Sequence, residues 1–552
     1  MHFEHCYVAG QMPRRNLSLV GKDPMRTVFL LFDSLNRLSL GPYGAKTIKT
    51  PNFDRLAARS VTFDNHYVGS MPCIPARRDM QTGRLNFMHR SWGPMEPFDN
   101  SFPEILEDAG VYSHLITDHL QYFRDGGATY HTRYTTYEYL RGQHGDAWKA
   151  DVAPDWPKLK QKYHPLQYSE TRGVDQYHHI INRQHLKQEC DYPLTKCFDS
   201  AREFLDRNRA ADDWFLQIET FDPHEPFNAP ERFKEDFPTD YDGPVLDWPP
   251  YGRVQESPEE CAELDAHYRA NLAFCDEQLG QLLDYFDAHG LWDDTTLIVS
   301  TDHGFLLGEH DWWAKNRMPI YEEIAHIPLF VHHPAYADQA GTRRAGLTQT
   351  TDLMPTFLAT HGCDVPDEVT GHSLLPVLAG NPSERDVVIF GTFGSAVNVC
   401  DGRHVFMLYP EHVTTEGLFQ YTVMPTTLND LFDVDELAQA ELVAPFNFTK
   451  GARLLRTPAL EKSPFNPFFG PMVFFDTETV LFDLLNDPKQ ENPHRNTDVE
   501  LELTIAMRTQ LLRHDTPAEL YARLGLPMPR NAGPTLLSGA AAAPRQVVEP
   551  TG

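Results

Sequence analysis

Cys73-Ile74-Pro75-Ala76-Arg77, continuing into Arg78-Asp79-Met80-Gln81-Thr82-Gly83-Arg84, puts a nucleophilic residue type and a permanent cation four positions apart. Pro75 suits a first helical turn and Gly83 a helix end. Cys73 therefore falls near a helix N-terminus, where free backbone N–H groups favour an anion. Arg77, one turn on, lies on the same helical face as Cys73. The stretch predicts a reactive group beside an anion hole.

The elements that must position this stretch follow from short apolar runs alternating with amphipathic stretches, the pattern of an α/β sheet with helices on both faces. Strands are expected over 28–32, 111–116, 214–220, 296–301 and 327–332, each short and most rich in β-branched or aromatic residues. Helices are expected over 52–59, 102–108, 198–208, 258–289 and 353–360. In the longest, Leu264, Tyr268, Leu272, Cys275, Leu279 and Leu282 step by three or four, giving one apolar stripe, and Gly290 follows as its stop. Four of the strands run directly into chemistry-bearing residues: Asp33; Asp118 and His119; Asp222 and His224; Asp302 and His303. In open α/β sheets ligands bind beyond the carboxyl ends of the strands. Any one of these four could be ordinary turn chemistry; four together point to one crevice.

Residues 120–200, with His131, Tyr134, Tyr137, Trp148 and Trp156, show little periodicity and read as an aromatic, loop-rich insertion on the substrate side. Past residue 370 shorter strand-like pieces (386–390, 404–409, 480–484) and an amphipathic stretch over 499–513 predict a smaller C-terminal α+β domain. The expected organisation is an extension over 1–24, a catalytic domain over 25–370, the smaller domain over 371–530, and a tail over 531–552. Phe468-Phe469 and Trp312-Trp313 read as packing pairs.

With 552 residues, 41% of them hydrophobic, the chain can bury a large core, which excludes a disordered chain or a disulfide-stapled module. A net charge of −30 repels nucleic acid and anionic membranes at long range, so neither is an expected partner. No apolar run approaches the ~20 residues that cross a bilayer, and the N-terminus shows no secretory h-region. A soluble, cytoplasmic protein is the expectation. The eight cysteines carry no Cys-x-x-Cys spacing, so most read as small buried hydrophobes. By analogy, tails of this sort wrap a neighbour, and an even-numbered homo-oligomer is expected.

Cys73-x-Pro75-x-Arg77 with the downstream Thr82-Gly83-Arg84 resembles the signature of the formylglycine-dependent sulfatases of the alkaline phosphatase superfamily. The resemblance extends through Phe32-Asp33-Ser34-Leu35-Asn36-Arg37, Thr50-Pro51-Asn52-Phe53-Asp54-Arg55-Leu56-Ala57, Ser300-Thr301-Asp302-His303-Gly304, Gly308-Glu309-His310, Lys315, Tyr321-Glu322-Glu323 and Ile327-Pro328-Leu329. It ends with Leu481-Phe482-Asp483-Leu484 and Asp487-Pro488, and so covers most of residues 25–500. It implies an alkaline-phosphatase-like large mixed sheet sandwiched by helices. It also implies that Cys73 is oxidised to formylglycine by a formylglycine-generating enzyme, and that Asp33, Asp302, His303 and position 73 hold one divalent ion. The carboxylates of that set suit Ca²⁺ or Mg²⁺ and the imidazole tilts toward Mn²⁺, placing Ca²⁺ or Mn²⁺ ahead of Mg²⁺.

In the implied chemistry a hydroxyl of the hydrated aldehyde, acidified by the metal and Arg77, attacks the sulfur of a small sulfate ester. His224 and Lys315 contact the sulfate and can protonate the leaving oxygen, and His119 is the base for collapse of the adduct. Asp118 and His310 are further substrate-side candidates; His310 and Asp311 either line the pocket or cap a turn. Three positions depart from the common pattern: Ser34 stands where many sulfatases carry a second Asp, His303 where many carry Asn, and Thr117-Asp118-His119-Leu120-Gln121 where a sulfate-binding lysine is usual. Asp302-His303 is the pairing of the related phosphonate and phosphodiester hydrolases. That activity is the alternative, and a catalytically silent metal- and anion-binding relative is the alternative of another class.

Overall fold

The computed structural model describes residues 25–463 and 470–529. The expected N-terminal extension, the tail over 531–552 and the Phe468-Phe469 pair lie outside the described residues. A mixed sheet of eight strands organises the chain, in the order Arg343–Gln349, Val61–Tyr67, His326–His332, Thr295–Thr301, Arg26–Phe32, Trp214–Glu219, Tyr112–Thr117 and Thr136–Tyr139. His326–His332 is antiparallel to both its neighbours and the other pairings are parallel.

The central strand Arg26–Phe32 is apolar on both sides because helices cover both sheet faces. Val28, Leu30 and Phe32 point into one core with Phe53 and Leu56 of helix Pro51–Arg59, Phe198 of Pro193–Arg207, and Leu272 and Leu279 of Pro258–His289. Phe29 and Leu31 point the other way, against Phe102 and Leu106 of Phe102–Asp108 and Phe357 of Leu353–Thr360. This is the two-residue period of a strand serving two layers. The 32-residue helix Pro258–His289 buries the predicted stripe. A Ser257/Glu260 capping box starts it, and Gly290, at φ 67°, stops it.

Two expectations are corrected. The helix placed over 198–208 begins five residues earlier, at Pro193, because Leu194 and Cys197 extend its buried face. The 120–200 region is less loop-like than its sequence suggests. It carries the edge strand Thr136–Tyr139 and the helices Trp156–Lys162 and Asp175–Arg183. The strand escapes notice because three of its four residues are exposed, so it lacks an alternating apolar face.

A second sheet of five strands runs Val480–Asp483, His404–Leu408, Val397–Cys400, Val388–Thr392 and Ser70–Met71. Helix Thr497–Arg513 covers it through Leu503, Met507 and Leu511. Its last strand comes from the segment just before Cys73, with Ser70 and Met71 paired to Gly391 and Thr392. The start of helix Cys73–Thr82 is thus tied to both sheets, since Val61–Tyr67 in the large sheet leads into it. Asp79 locks the junction: its carboxylate accepts from Ser70 N at 2.6 Å, Ser70 Oγ at 2.9 Å, Asn86 N at 3.1 Å and Asn86 Nδ2 at 2.7 Å.

Asp79→Ala strands these buried donors, and the expected cost is about 2–5 kcal/mol. A urea midpoint that moves by that amount at unchanged slope would bear this out; a change no larger than that of an exposed substitution, about 0.5 kcal/mol, would count against it. Among the described residues no helix is long and apolar enough to cross a membrane.

Candidate active site

The ends of parallel strands converge as their sequence suggested. Asp33 follows Phe32, Asp302 and His303 follow Thr301, Glu219 ends Trp214–Glu219, and His119 lies two residues past Thr117. Helix Cys73–Thr82 brings its N-terminus to this point, is buried along its whole length, and ends on Gly83 at φ 65°. Asp33, Cys73, Asp302 and His303, all buried, each offer one ligand atom within 4.8 Å of one another. Cys73 Sγ lies 3.2 Å from His303 Nε2.

Arg77 is the hub. Its Nη1 donates to Asp302 Oδ2 at 2.5 Å and to the Cys73 carbonyl at 3.1 Å. Nη2 donates to Asp33 Oδ2 at 2.9 Å and Nε to Glu219 Oε1 at 2.7 Å. One guanidinium 1% exposed thereby joins three carboxylates from three strand ends. The rigid fork of arginine suits this, where a lysine would be a single point of charge. Glu219 also accepts from Tyr122 Oη at 3.0 Å and Gln217 Nε2 at 2.9 Å. Sequence reading missed Glu219; its one signal is a lone carboxylate inside the apolar run Trp214-Phe215-Leu216-Gln217-Ile218-Glu219.

Ser34 has a definite place. At φ 60° it donates from Oγ to Asp33 Oδ1 at 2.8 Å, accepts from Lys315 Nζ at 2.7 Å, and offers its N–H to Asp302 Oδ1 at 3.1 Å. Lys315 Nζ lies 3.9 Å from Asp33 Oδ1 and 3.8 Å from Glu225 Oε2. His224 Nε2 approaches Asp33 Oδ1 at 4.0 Å while its Nδ1 bonds the Glu225 carbonyl at 2.6 Å. His119 Nε2 lies 3.5 Å from Asp33 Oδ2. The structure thus gathers Cys73, Arg77, Asp33, Asp302, His303, His224, Lys315 and His119.

It does not bring Asp118 or His310 into contact with that group. Asp118 turns back to accept from Phe221 N at 2.7 Å, fastening two strand-end loops together. His310 stacks on Tyr321 at 3.7 Å and meets Glu323 Oε2 at 3.3 Å. Trp312 and Trp313 are buried as a packing pair should be.

Burial, and then the charge of Asp33, push the Cys73 thiol well above its ordinary pKa. Burial works to raise Asp33, but Arg77 foremost, with His224, His119 and Lys315, holds it well below the carboxylate range. Burial lowers His303, and its Nδ1 bonds the Gly304 carbonyl at 2.8 Å, so Nε2 presents a lone pair toward Cys73 and Asp302. Two carboxylates, that lone pair and residue 73 fit a divalent cation, with the backbone carbonyl fixing the imidazole tautomer. Gly304 is required here, because a Cβ on it would sit 1.9 Å from the Glu323 carbonyl oxygen.

The Sulfatase family model matches residues 26–363, and the model for the C-terminal part of N-sulphoglucosamine sulphohydrolase matches residues 308–439. The N-acetylglucosamine-6-O-sulfatase of Bacteroides thetaiotaomicron is 24% identical over 409 residues, spanning 64% of this chain and 70% of that protein. The choline-sulfatase of Rhizobium meliloti is 25% identical over 438 residues, spanning 73% and 81%. Among solved structures, the phosphonate monoester hydrolase of Agrobacterium radiobacter superposes with a TM-score of 0.58 at 16% identity, covering 88% of this chain and 96% of that one. At that identity the likeness is one of fold.

Proposed function

This chain belongs to the sulfatase family and has its alkaline-phosphatase-like α/β fold, and from that premise we propose that the Cys73 pocket hydrolyses a small sulfate ester by way of an aldehyde made from Cys73. The observation that carries this reading is the Arg77 hub. It joins the nucleophile position to Asp33 and Asp302, two of the four cation-site residues, in one buried unit. A divalent cation, Ca²⁺ or Mn²⁺ ahead of Mg²⁺, held by Asp33, Asp302, His303 and residue 73 would offset the charge of the transferred group. Formylglycine at position 73, installed by a maturation enzyme, would supply one hydroxyl for attack and a second to expel sulfate.

The chain's own residues do the rest. Backbone N–H groups at the start of the 73–82 helix and the Arg77 guanidinium face the charge that builds on the transferred group. Lys315 has three donors, of which one is given to Ser34, so others remain for the sulfate oxygens. Lys315 gives the leaving oxygen its proton, and His224, with Nδ1 donated to the Glu225 carbonyl, turns Nε2 into the pocket beside that oxygen, serving it by position. His119 lies beside Asp33, Nε2 to Oδ2 3.5 Å, and its Nδ1 accepts from Gln121 N at 3.4 Å, so in this tautomer Nε2 is the donor; to serve as base for the release step the ring has to give up the Gln121 contact and take the proton at Nδ1.

A second reading, a phosphonate monoester or phosphodiester hydrolase, is supported by the Asp302-His303 pair and by the fold likeness to a phosphonate monoester hydrolase. Aldehyde-bearing protein assayed on an aryl sulfate and an aryl phosphonate monoester, after chelation and return of Ca²⁺, Mn²⁺ or Mg²⁺ singly, separates the two. The expected outcome is a higher kcat/KM on the sulfate, with a loss on the order of a hundredfold or more on chelation. Chelation is also expected to lower Tm, because the ion binds only the folded site. Faster phosphonate turnover would install the second reading. A Cys73 peptide that stays a thiol in a host able to make the aldehyde would leave a catalytically silent relative.

A further inference from the structure

Against the Cys73 cluster lies a loop that the mechanism above does not use, Arg141-Gly142-Gln143-His144-Gly145-Asp146. Its conformation is pinned from several sides. Arg141 gives two bonds of 2.7 Å to the Asp146 carboxylate, and Gly142 N adds a third at 2.9 Å. Asn182 Nδ2 holds the Asp146 carbonyl at 2.7 Å, and Gln143 Nε2 reaches Asp222 Oδ2 at 2.9 Å. Asp222 is anchored in turn by Asn271 Nδ2 of the long helix, at 2.9 Å. In the middle His144 sits at φ 46°. A non-glycine residue in that region is strained and persists only where its surroundings over-determine it.

The strain aims the side chain at the pocket. The His144 ring stands edge to face with His224 at 5.7 Å, against Phe221 at 5.3 Å and Trp248 at 4.7 Å. Lys315, His119, His179, Arg124 and Asp175 are charged and titratable groups around it, with His224. Nδ1 is buried with no hydrogen-bond partner; the nearest carboxylate oxygen, Asp175 Oδ2, is 3.9 Å away, beyond bonding distance. An orphaned buried ring nitrogen is destabilising, and a phenyl ring would fill the same space without that cost. Packing alone therefore gives no reason for an imidazole here.

We infer that His144 reads the leaving alcohol, hydrogen-bonding a hydroxyl on the carbon next to the one that carries the ester. The inference rests on the proposed function, specifically on His224 serving the leaving oxygen, since the ring set beside His224 then meets the next substituent. Burial lowers the His144 pKa to about 4, so the imidazole is neutral near pH 7 and offers one donor and one acceptor, which match a hydroxyl better than an anion.

4-Nitrocatechol sulfate carries such a hydroxyl and 4-nitrophenyl sulfate lacks it. In the aldehyde-bearing full chain, H144F is expected to lose about tenfold in kcat/KM on the first, mainly through KM, and less than about threefold on the second. H144N tolerates the left-handed backbone and keeps an amide near Nδ1, so it should recover part of the loss, which a purely packing role would not allow. Equal losses on the two esters, or none on either, overturn the inference. If the parent turns over neither ester, the proposed function fails separately. Titration with 4-nitrocatechol and 4-nitrophenol then still decides His144: a preference of the parent for the catechol that H144F lacks supports it, and no such preference overturns it.

Discussion

Cys73→Ala is expected to cut turnover on the order of 10⁵-fold or more while leaving the fold intact. The side chain is 4% exposed and its sulfur lies 3.2 Å from His303 Nε2, so deleting it removes a small buried group and breaks no ion pair among the described residues. Cys73→Ser separates attack from release. A serine hydroxyl at the same helix start can attack once but has no second hydroxyl with which to expel sulfate, so a single burst and a trapped ester on the residue 73 peptide are expected. Mass spectrometry of the Cys73 peptide reads the aldehyde directly, and Cys73→Ala protein that turns over as fast as the parent would refute the assignment.

Arg77→Ala is expected to be the most damaging substitution for stability. Breaking one buried ion pair costs about 3–5 kcal/mol. Here one cation serves Asp33, Glu219 and Asp302, all 0% exposed, so the loss should reach the upper end of that range or beyond. Arg77→Lys keeps the charge but cannot reach three carboxylates from one Nζ, and is expected to fall between parent and Ala. Soluble yield and urea midpoint report the effect. Excess divalent cation should rescue Arg77→Ala in part, because Asp33 and Asp302 also belong to the cation site. An Arg77→Ala midpoint within about 1 kcal/mol of the parent would show that the hub does not hold the site together.

The two expectations have different origins. Cys73 was legible from its neighbours in the chain, because Pro75, Gly83 and the four-residue step to Arg77 are local helix rules. The strand ends at Asp33, Asp302-His303 and His119 were legible too, since each apolar run ends where its polar residues begin. Glu219 was not, because nothing within its own strand says that an arginine from another layer will meet it. Ser34 looked like a missing carboxylate until its backbone placed the hydroxyl between Asp33 and Lys315. Asp118 and His310 carried the right residue types, yet their side chains turn to Phe221 N and to Tyr321 and Glu323.

By itself the sequence determined the layered α/β architecture and the long amphipathic helix, and it placed Cys73 at a helix start and Asp33, Asp302 and His303 at strand ends, because these depend on periodicities and end signals a few residues long. Only the tertiary structure decided which of them meet. It set the three carboxylates around one guanidinium, made Ser70–Met71 a strand of the second sheet, and turned His144 toward His224. Such contacts join residues far apart in the chain, and their geometry is set by how the layers pack.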